Sequence, residues 1–346
     1  MTSAEAIELA RLAEEVGFDR LGISDVVFWP DCFVLLALAA RETTRIELGP
    51  MVTNPYSRHP AVLAGIMATL QDASDGRAFL GIGVGAGLEQ LGMAYERPVA
   101  ALREAVTAIR ALLRGEEVHL NGRTITIDGG RMVGPVRPVP VSIGSRSPQI
   151  LRLAGELADV ALVGGRLADG EVAAGYRRLV AEGAARAGRS PEDVEIALRL
   201  TVCVSRDGVL ARASVRRYAA HYAAIVRPPD LAERDGGRWM ARVEAALARS
   251  KGWYFAHDRS DDPELDELVD DEVVRRFAVA GTPAECAELA SRALALGFTS
   301  ASMNLAAPRR PSMFEGLRET LEGCAEVLAR LRATARPGGG AGGASG

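Results

Sequence analysis

The sequence predicts an α/β fold with a parallel sheet, and two observations carry this prediction. First, one unit recurs in residues 8–25 and 288–305, where an amphipathic helix ends at a glycine and a short apolar strand follows. Gly17 and Gly297 each stand directly before a phenylalanine, and a glycine there supplies the left-handed residue that ends a helix. Second, helices alternate with short apolar strands along most of the chain, which favours parallel strands.

The predicted strands suggest a barrel of the TIM type. They are residues 21–24, 46–52, 78–83, 141–144, 160–163, 196–204 and 300–304. Seven parallel strands are one fewer than an eight-stranded (β/α)8 barrel contains. The chain opens with a helix where such a barrel has its first strand. We therefore expect a TIM-like barrel with insertions, whose first strand either lies upstream of this start or is missing.

Two segments interrupt the alternation of helices and strands. Residues 118–127 contain Asn121 and Gly122, a pair typical of a hairpin turn, and predict an antiparallel ribbon. Residues 207–276 have a helical pattern with charge-rich turns, and an insertion of this kind usually covers the site as a lid or substrate wall. Its aromatic residues could line that wall or equally belong to a core; they are Trp239, Trp253 and Tyr254.

The length of the chain fits either two domains of ordinary size or one α/β barrel. Because the helix and strand units run along nearly the whole sequence, we expect residues 1–335 to form a single barrel domain. Residues 336–346 consist mostly of glycine, alanine and serine and cannot bury apolar surface, so we expect a disordered tail.

The composition is ordinary for a globular enzyme and argues against two classes of partner. The 346 residues are 48% hydrophobic and 25% charged. A net charge of −4 gives no basic field that would attract nucleic acid or an anionic membrane. No run approaches the ~18 apolar residues that a membrane span requires. We therefore expect a protein that binds neither nucleic acid nor membrane.

The cysteines argue against a zinc site and against a disulfide framework. All four lie far apart in the sequence, with no Cys-x-x-Cys and no histidine cluster beside them. We predict no metal site, and unpaired cysteines fit a reducing compartment. The first 17 residues form an amphipathic helix that carries acidic residues, unlike a signal or transit peptide. Together these features predict a cytoplasmic protein.

Unusual residues follow several of the predicted strands, at the ends where parallel α/β folds bind ligands. Asp25 follows the first strand, and Thr53 and Asn54 follow the second. The third strand runs into the glycine-rich residues 80–87. The pair Gly164 and Gly165 closes the strand at 160–163. We therefore expect the functional site at this edge of the sheet.

The stretch IGSRSPQIL (143–151) is the strongest local signal for an anion site. Gly144 lets the backbone approach a ligand, and Ser147 is placed to cap a helix whose first residue is Pro148. Arg146 adds a bidentate donor beside the open N–H groups of the helix start. The alternative is an ordinary capped helix with an exposed arginine.

The glycine-rich stretch LGIGVGAG (80–87) satisfies a loose dinucleotide-binding pattern through Gly81, Gly83 and Ala86. Its context argues against that function, because a helix should open at once and the next helical pattern starts only near Pro98. We favour a strand end whose glycines let a flat ring lie against the backbone.

Two single residues are candidates for acid–base chemistry. Asp25 and His59 stand at strand-to-helix corners, but an aspartate there can be only a turn former and a histidine before a proline can simply orient the turn. The other histidines show no triad or metal spacing, and the G-x-S-x-G signature of many hydrolases is absent.

Five segments taken together resemble the bacterial luciferase-like superfamily. They include GFDRLGISD (17–25), the TNPYSRHP element within 29–70, SDGRAFLGIGVGAG (74–87), residues 98–118 and GSRSPQILRLAGELADVALVGG (144–165). The likeness covers residues 4–205 and resumes at 279–298. Within the superfamily, the chain looks most like the branch that uses the deazaflavin coenzyme F420, which includes methylenetetrahydromethanopterin reductases.

The resemblance implies an eight-stranded barrel and hydride transfer between a bound deazaflavin and a small-molecule substrate. It also implies a bulge with a non-prolyl cis peptide, which by motif position falls at Met51–Val52. The cofactor-binding residues implied position by position are Met51, Val52, Thr53, Asn54, Gly83, Val84, Gly85, Gly144, Ser145, Arg146, Ser147, Gly164 and Gly165. Thr53 and Asn54 would face the ring, and the last six of these residues would hold the phosphate of the side chain. Asp25 or His59 would relay or stabilise a proton.

The sequence departs from the pattern of the family at two positions and leaves two alternatives open. Val26 stands where many relatives have histidine after the aspartate, and Ala86 stands where many have an acid. One alternative is a monooxygenase of the same superfamily that uses FMN. The other is a non-catalytic barrel that binds a cofactor or a partner. Since relatives are often dimers, a homodimer is one state that the resemblance implies.

Overall fold

The structure is a computed structural model, described here over residues 1–164, 169–249 and 262–335. Several predictions concern residues outside these ranges and are not addressed by it. They are the role of Gly165, the wall positions of Trp253 and Tyr254, and the tail at 336–346.

The described residues contain ten β-strands. They are β1 (Arg20–Ile23), β2 (Glu47–Pro50), β3 (Leu80–Ile82), β4 (Val118–Asn121), β5 (Thr126–Gly130), β6 (Val141–Gly144), β7 (Val160–Gly164), β8 (Glu195–Val204), β9 (Ala278–Gly281) and β10 (Ser300–Leu305). All seven strands predicted for the sheet are present. The predicted ribbon is confirmed as the antiparallel pair β4–β5.

The α-helices of the described residues fall into a ring around the sheet and an inserted group. Those of the ring are α1 (Ser3–Val16), α2 (Cys32–Glu42), α3 (Pro60–Ala73), α4 (Pro98–Leu113), α5 (Pro148–Leu157), α6 (Gly170–Arg186), α13 (Pro283–Leu294) and α14 (Met313–Ala335). The inserted group is α7 (Gly208–Ser214), α8 (Arg216–Val226), α9 (Pro229–Ala232), α10 (Arg238–Arg249), α11 (Pro263–Leu268) and α12 (Asp271–Phe277). Helix α1 shows why such bounds can be predicted, since Thr2 and Glu5 form a capping box and Gly17 ends the helix at φ 100°.

Seven parallel strands form one continuous order, β1-β2-β3-β6-β7-β8-β10, and β9 pairs in parallel with β8 outside this order. Between β2 and β3 the pairing consists of two isolated bridges, Leu48 with Ala78 and Thr53 with Ile82. The remaining neighbours pair through regular parallel ladders.

The first strand of this order lies close to the second-last one. Arg20 of β1 lies 2.9 Å from the carboxylate of Glu195 of β8, and it also pairs with Glu47 of β2 at 2.7 Å. Helix α1 packs on α14, with Arg318 of α14 at 3.2 Å from Glu8. A sheet whose first strand reaches its second-last strand in this way is curled, so the predicted TIM-like barrel fold is confirmed.

A small apolar cluster fills the inside of the curled sheet. Val160, Leu162 and Ala197 form it, with Met51 and Val52 packed against them. Glycines make room for Met51, because a Cβ on Gly22 would lie only 2.4 Å from its Cβ. The larger core lies between the strands and the helix ring. The interior is therefore packed below the bulge and leaves the carboxyl ends of the strands for a ligand.

The described residues of the insertion, 207–249 and 262–276, are mostly helical and have a core of their own. Trp239 belongs to that core: only 4% of its surface is exposed, and its indole N–H donates to the carbonyl of Leu268 at 2.8 Å. It is therefore not a residue of a substrate wall. Strand β9 was not predicted, because its four apolar residues follow α12 with no turn residue between them. It pairs with the last four residues of β8.

Candidate active site

The corner after β2 pairs first with β1 and then with β3. Met51 donates its N–H to Ile23 O at 2.8 Å on the side of β1. Thr53 then pairs with β3, donating to Gly81 O at 2.9 Å and accepting from Gly83 N at 2.8 Å. The peptide bond between Met51 and Val52 is cis, as the resemblance implied.

Val52 is enclosed by two glycines from neighbouring strands. A Cβ on Gly83 would lie 3.0 Å from Val52 Cγ2, and a Cβ on Gly144 would lie 3.3 Å from Val52 Cγ1. The ends of β2, β3 and β6 therefore lie close together. Gly83 and Gly144 contribute only backbone to this contact, and Val52 contributes its side chain. This arrangement produces a wall of backbone and small side chains, as expected for a surface against which a planar ring can lie.

Asn54 shapes the corner that follows the bulge. It is 3% exposed, and its Oδ1 accepts from the N–H groups of Tyr56 at 3.0 Å and Ser57 at 2.8 Å. Gly85 packs against it with φ +83°, and a Cβ on Gly85 would lie 2.9 Å from Asn54 Cβ. Only glycine fits here without moving the asparagine.

A hydrogen-bonded cluster stands at the rim of this corner. Oδ2 of Asp25 accepts from Oγ1 of Thr53 at 2.6 Å and from Nη1 of Arg58 at 2.6 Å. The same guanidinium pairs with Asp31 at 2.7 Å. Burial works against the charge of Arg58, but Asp25 and Asp31 together raise the pKa of Arg58 above its ordinary value. Arg58 is therefore a fixed cation that is already paired with two carboxylates.

Phe33 and Cys32, at the start of α2, lie next to this cluster. The Arg58 guanidinium lies 4.9 Å from the centroid of the Phe33 ring, a cation–π contact. Burial, followed by the charges of Asp25 and Asp31, raises the pKa of the Cys32 thiol, which keeps it neutral. Cys32 is thus a packing residue and not a nucleophile.

A cavity of about 300 Å³ opens beside the cluster. Its polar side consists of Asp25, Asp31, Asn54, Ser57 and Arg58. Its apolar side consists of Val26, Val27, Phe28, Trp29, Ala86 and Leu88. Both positions at which the sequence departs from the family pattern, Val26 and Ala86, therefore lie on the apolar side of this one cavity.

His59 lies outside this cavity. Its side chain is exposed, and its Nδ1 accepts from Ala61 N at 3.2 Å, so it caps the start of α3. This position gives no support to its predicted role in proton transfer. The residue that reaches the cavity is its neighbour Arg58, which the sequence analysis did not select. The signal available was a basic residue within the TNPYSRHP element itself.

The predicted phosphate loop lies at the start of α5, which begins at Pro148 as predicted. Ser147 occupies the N-cap position, but its side chain caps no helix N–H. Its own N–H donates to Oγ of Ser145 at 3.0 Å. Ser145 N in turn donates to Leu162 O at 3.1 Å, which ties the loop to β7. Gly164, the last residue of β7, has φ +107°.

The insertion reaches this loop through α8. The guanidinium of Arg146 lies 5.8 Å from the centroid of the Tyr222 ring. Burial, followed by the charges of Arg146 and Arg217, lowers the pKa of His221 from 6.5 to about 4. Helix α8 therefore stands beside the carboxyl end of β6, where a lid or substrate wall would be placed.

A second polar pair joins β8 and β10 and was also missed from the sequence. Arg199 of β8 donates to Oδ1 of Asn304 of β10 at 3.0 Å. Arg199 is two residues beyond Ala197, which belongs to the apolar cluster inside the curled sheet. The side chains of Ala197 and Arg199 therefore both face the inside of the sheet. A charged residue within the apolar run 196–204 was the available signal.

The described part of the chain contains neither a metal-binding cluster nor a helix able to span a membrane. Across residues 1–164, 169–249 and 262–335, no three His, Cys, Asp or Glu side chains lie close enough together to hold a metal ion. Over the same ranges, no helix combines the length and the apolar character needed to span a bilayer.

Comparison with known proteins places this geometry among related sequences and folds. A model of the luciferase-like monooxygenase family matches residues 1–300. The chain is 33% identical over 294 residues to 5,10-methylenetetrahydromethanopterin reductase of Methanolobus tindarius, covering 84% of this chain and 86% of that protein. It is 29% identical over 310 residues to F420-dependent glucose-6-phosphate dehydrogenase of Nakamurella multipartita, covering 85% and 84%.

The solved structures include one with high similarity along the whole chain. The coenzyme F420-dependent tetrahydromethanopterin reductase of Methanopyrus kandleri superposes with a TM-score of 0.80 at 25% identity. The alignment covers 96% of both chains. The fold described above, including the curled parallel sheet, is thus shared with this structure.

Proposed function

Because the chain belongs to the luciferase-like monooxygenase family, we propose that it is an F420-dependent oxidoreductase that transfers a hydride between the deazaflavin and a small organic substrate. One observation carries the proposal. Val52 is enclosed by Gly83 and Gly144, directly beside the cluster of Asp25, Thr53 and Arg58. A wall for a planar ring and a polar rim for a reacting group therefore adjoin each other.

The residues present fit a deazaflavin with a phosphate in its side chain. Gly83, Val84 and Gly85 would lie along the ring, together with the corner at Met51–Val52. Ser145, Arg146 and Ser147 would hold the phosphate, since the side chain of Ser147 caps no N–H of the helix start and leaves those donors for an anion. Gly164 would let the backbone of β7 approach the same group.

The bound coenzyme would supply the hydride or accept it. The chain supplies position, because a backbone wall that cannot rotate fixes one face of a ring more narrowly than flexible side chains do. The apolar side of the cavity, with Val26, Trp29 and Ala86, excludes water from the reacting face. The polar side orients the substrate.

Asp25 is the chain's best candidate for a group that touches the substrate. It accepts from Thr53 and Arg58, and both donors share its Oδ2. Oδ1 receives no hydrogen bond from Thr53 or Arg58, and it would accept one from a substrate N–H or O–H. We therefore assign Asp25 to orienting the substrate and stabilising positive charge on it, and we assign His59 to capping α3.

The charges of the cavity indicate the class of substrate. Arg58 is the single basic side chain among the described residues that line it, and two carboxylates already pair with Arg58. A phosphate dianion needs unpaired arginine or lysine donors. We therefore propose an unphosphorylated substrate with a flat apolar part, closer in chemistry to a pterin than to a sugar phosphate.

The cofactor assignment is tested by titrating the purified protein with F420 and with FMN while following their fluorescence. We expect micromolar or tighter binding of F420 and clearly weaker binding of FMN. Loading with the reduced cofactor and exposing the complex to air gives an independent readout, because a reduced flavin reoxidises rapidly and a reduced deazaflavin does not. Binding of neither cofactor would contradict both enzyme assignments and leave the non-catalytic barrel.

The substrate class is tested with the loaded protein and two probes. A methylene-carrying tetrahydropterin should change the absorbance of the deazaflavin, and glucose-6-phosphate should leave it unchanged. Turnover of glucose-6-phosphate would contradict the reading of the cavity without affecting the cofactor assignment.

A further inference from the structure

A second cavity, of about 700 Å³, lies outside the barrel next to the candidate active site. The start of α4, the turn of the β4–β5 ribbon and the first turn of α5 surround it. The charged and polar residues that line it are Arg97, Arg103, Glu104, Arg123 and Gln149. We call this cavity the arginine groove.

Glu104 is the single acid among the residues that line the groove, and its carboxylate already accepts four hydrogen bonds. The carboxylate of Glu104 accepts from the N–H groups of Arg123 at 2.8 Å, Thr124 at 2.9 Å and Ile125 at 3.0 Å, and from the Thr124 hydroxyl at 2.6 Å. Although partial burial works against it, these donors lower the pKa of Glu104. Glu104 therefore fixes the ribbon turn that carries Arg123, and it forms no ion pair with the guanidinium groups around it.

Two of the three arginines have no acidic partner. Within residues 1–164, 169–249 and 262–335, neither Arg97 nor Arg123 forms a salt bridge, whereas Arg103 pairs with Glu156. Arg97 stands at the N-cap of α4 in the left-handed region, at φ 45° and ψ 57°, and its side chain caps no N–H. Around this one cavity, the groove therefore presents the guanidinium groups of Arg97 and Arg123 without an ion pair and that of Arg103 paired with Glu156.

Two chain segments connect the lining of the groove to the candidate active site. Gln149 is the second residue of α5, two positions after Ser147 of the predicted phosphate loop. The second segment contains Glu96, which precedes Arg97. The backbone carbonyl of Glu96 accepts from the Tyr56 hydroxyl at 3.0 Å, which links the groove to the corner after β2. A ligand whose phosphate is bound at the start of α5 would enter the arginine groove if its chain continued outward past Gln149.

We propose that the arginine groove binds a chain of carboxylates that extends from the phosphate of the bound cofactor. This inference rests on the proposed function, because the oligoglutamyl side chain of coenzyme F420 has this chemistry. Carboxylates suit planar guanidinium donors. Linkage to an anchored phosphate makes the second contact intramolecular, so weak exposed ion pairs become measurable.

The test compares two forms of the coenzyme on the whole chain, a long form with several glutamates and a short form that retains the phosphate and has none. We expect the wild type to bind the long form about tenfold more tightly, since a few exposed ion pairs add up to this size. Added salt should reduce the preference. The readout is the dissociation constant from fluorescence, so no turnover is needed.

The variant Arg97→Gln/Arg123→Gln should bind the short form like the wild type and reduce the preference for the long form to about twofold or less. Arg103 stays in place because its ion pair with Glu156 supports the fold. The double variant Arg178→Gln/Arg292→Gln is the matched control, since it removes the same charge from exposed faces of α6 and α13. It should keep the full preference.

The outcomes separate this inference from the proposed function. Equal binding of both forms by the wild type would overturn the arginine groove as a cofactor site and leave the F420 assignment intact. Binding of neither form would overturn the proposed function itself. Free oligoglutamate identifies the source of the carboxylates: if it binds the wild type at micromolar concentration while both coenzyme forms bind alike, the groove serves a separate acidic ligand and the assignment is wrong.

Discussion

Arg58 and Asp25 form an ion pair of 2.6 Å at the rim of the candidate cavity, and Thr53 donates to the same carboxylate oxygen. The pair joins two corners of the barrel that are 33 residues apart in the sequence. Asp25 is 11% exposed and Arg58 is 23% exposed at the side chain, so the pair is largely shielded and still open to a ligand on one side.

Asp25→Asn should reduce turnover by about 10- to 100-fold while leaving the affinity for F420 unchanged, because it disturbs substrate orientation and not the ring wall. Steady-state rates and cofactor titration measure the two effects. The control is Asp159→Asn, which breaks a similar pair with Arg110 at the other end of the strands. Equal loss of activity in both variants would indicate a structural effect only.

Gly83→Ala should weaken binding of the cofactor by about tenfold, because the new methyl group lies 3.0 Å from Val52 and from Gly144 O and moves the wall. Fluorescence titration with F420 measures this change. Gly175→Ala in α6 is the matched control, since a Cβ there meets no atom within 4 Å. It should bind like the wild type and be equally or more stable.

His59→Ala should retain turnover within about twofold and lower the free energy of unfolding by about 0.5–1 kcal/mol, as the loss of a helix cap does. His59→Asn should restore the stability, because asparagine can accept from the same N–H. Thermal melts and steady-state rates check both variants. A large fall in turnover in His59→Asn at unchanged stability would instead support the predicted proton relay.

His221 should make the folded state sensitive to acid. Its pKa is lowered to about 4, so between pH 6.5 and about 4 the unfolded chain binds a proton that the folded chain does not. The free energy of unfolding should therefore fall as the pH falls through this window, by an amount on the order of 3 kcal/mol. Denaturant unfolding at several pH values should show a smaller decline for His221→Gln. The exposed His119→Gln is the control and should decline like the wild type.

The expected homodimer can be tested on an apolar surface of the helix ring. Val34 and Leu38 lie one turn apart on α2 and are 60% and 41% exposed, and Val62 at the start of α3 is 55% exposed. If two copies associate through this surface, Val34→Asp should convert a dimer to a monomer in light scattering. Val209→Asp, at a position that is 68% exposed on α7, should leave the mass unchanged.

The elements that the sequence predicted well are those with local causes. Strand β6 and the start of α5 were placed to the residue, because an apolar run, a glycine and a proline at the first helical position act over a few neighbouring residues. Strand β9 was missed because its local signal is weak and its pairing with β8 decides its structure.

The site was predicted in part for the same reason. Asp25, Thr53 and Asn54 were selected because they follow strands. Arg58 was not selected, since its function depends on a carboxylate that is distant in sequence. The inward direction of Arg199 likewise depends on which face of β8 meets the barrel interior, and no local pattern fixes that face.

The contact between Arg20 and Glu195 has a consequence for how this architecture can change. Most neighbouring strands in the sheet are joined by repeating backbone hydrogen bonds, so the backbone sets their spacing and a single side-chain replacement does not alter it. At Arg20 and Glu195, strands β1 and β8 are joined by side chains alone, and a single substitution can replace either side chain. Single substitutions can therefore change the width of the barrel at the amino ends of its strands, far from the loops that form the candidate active site.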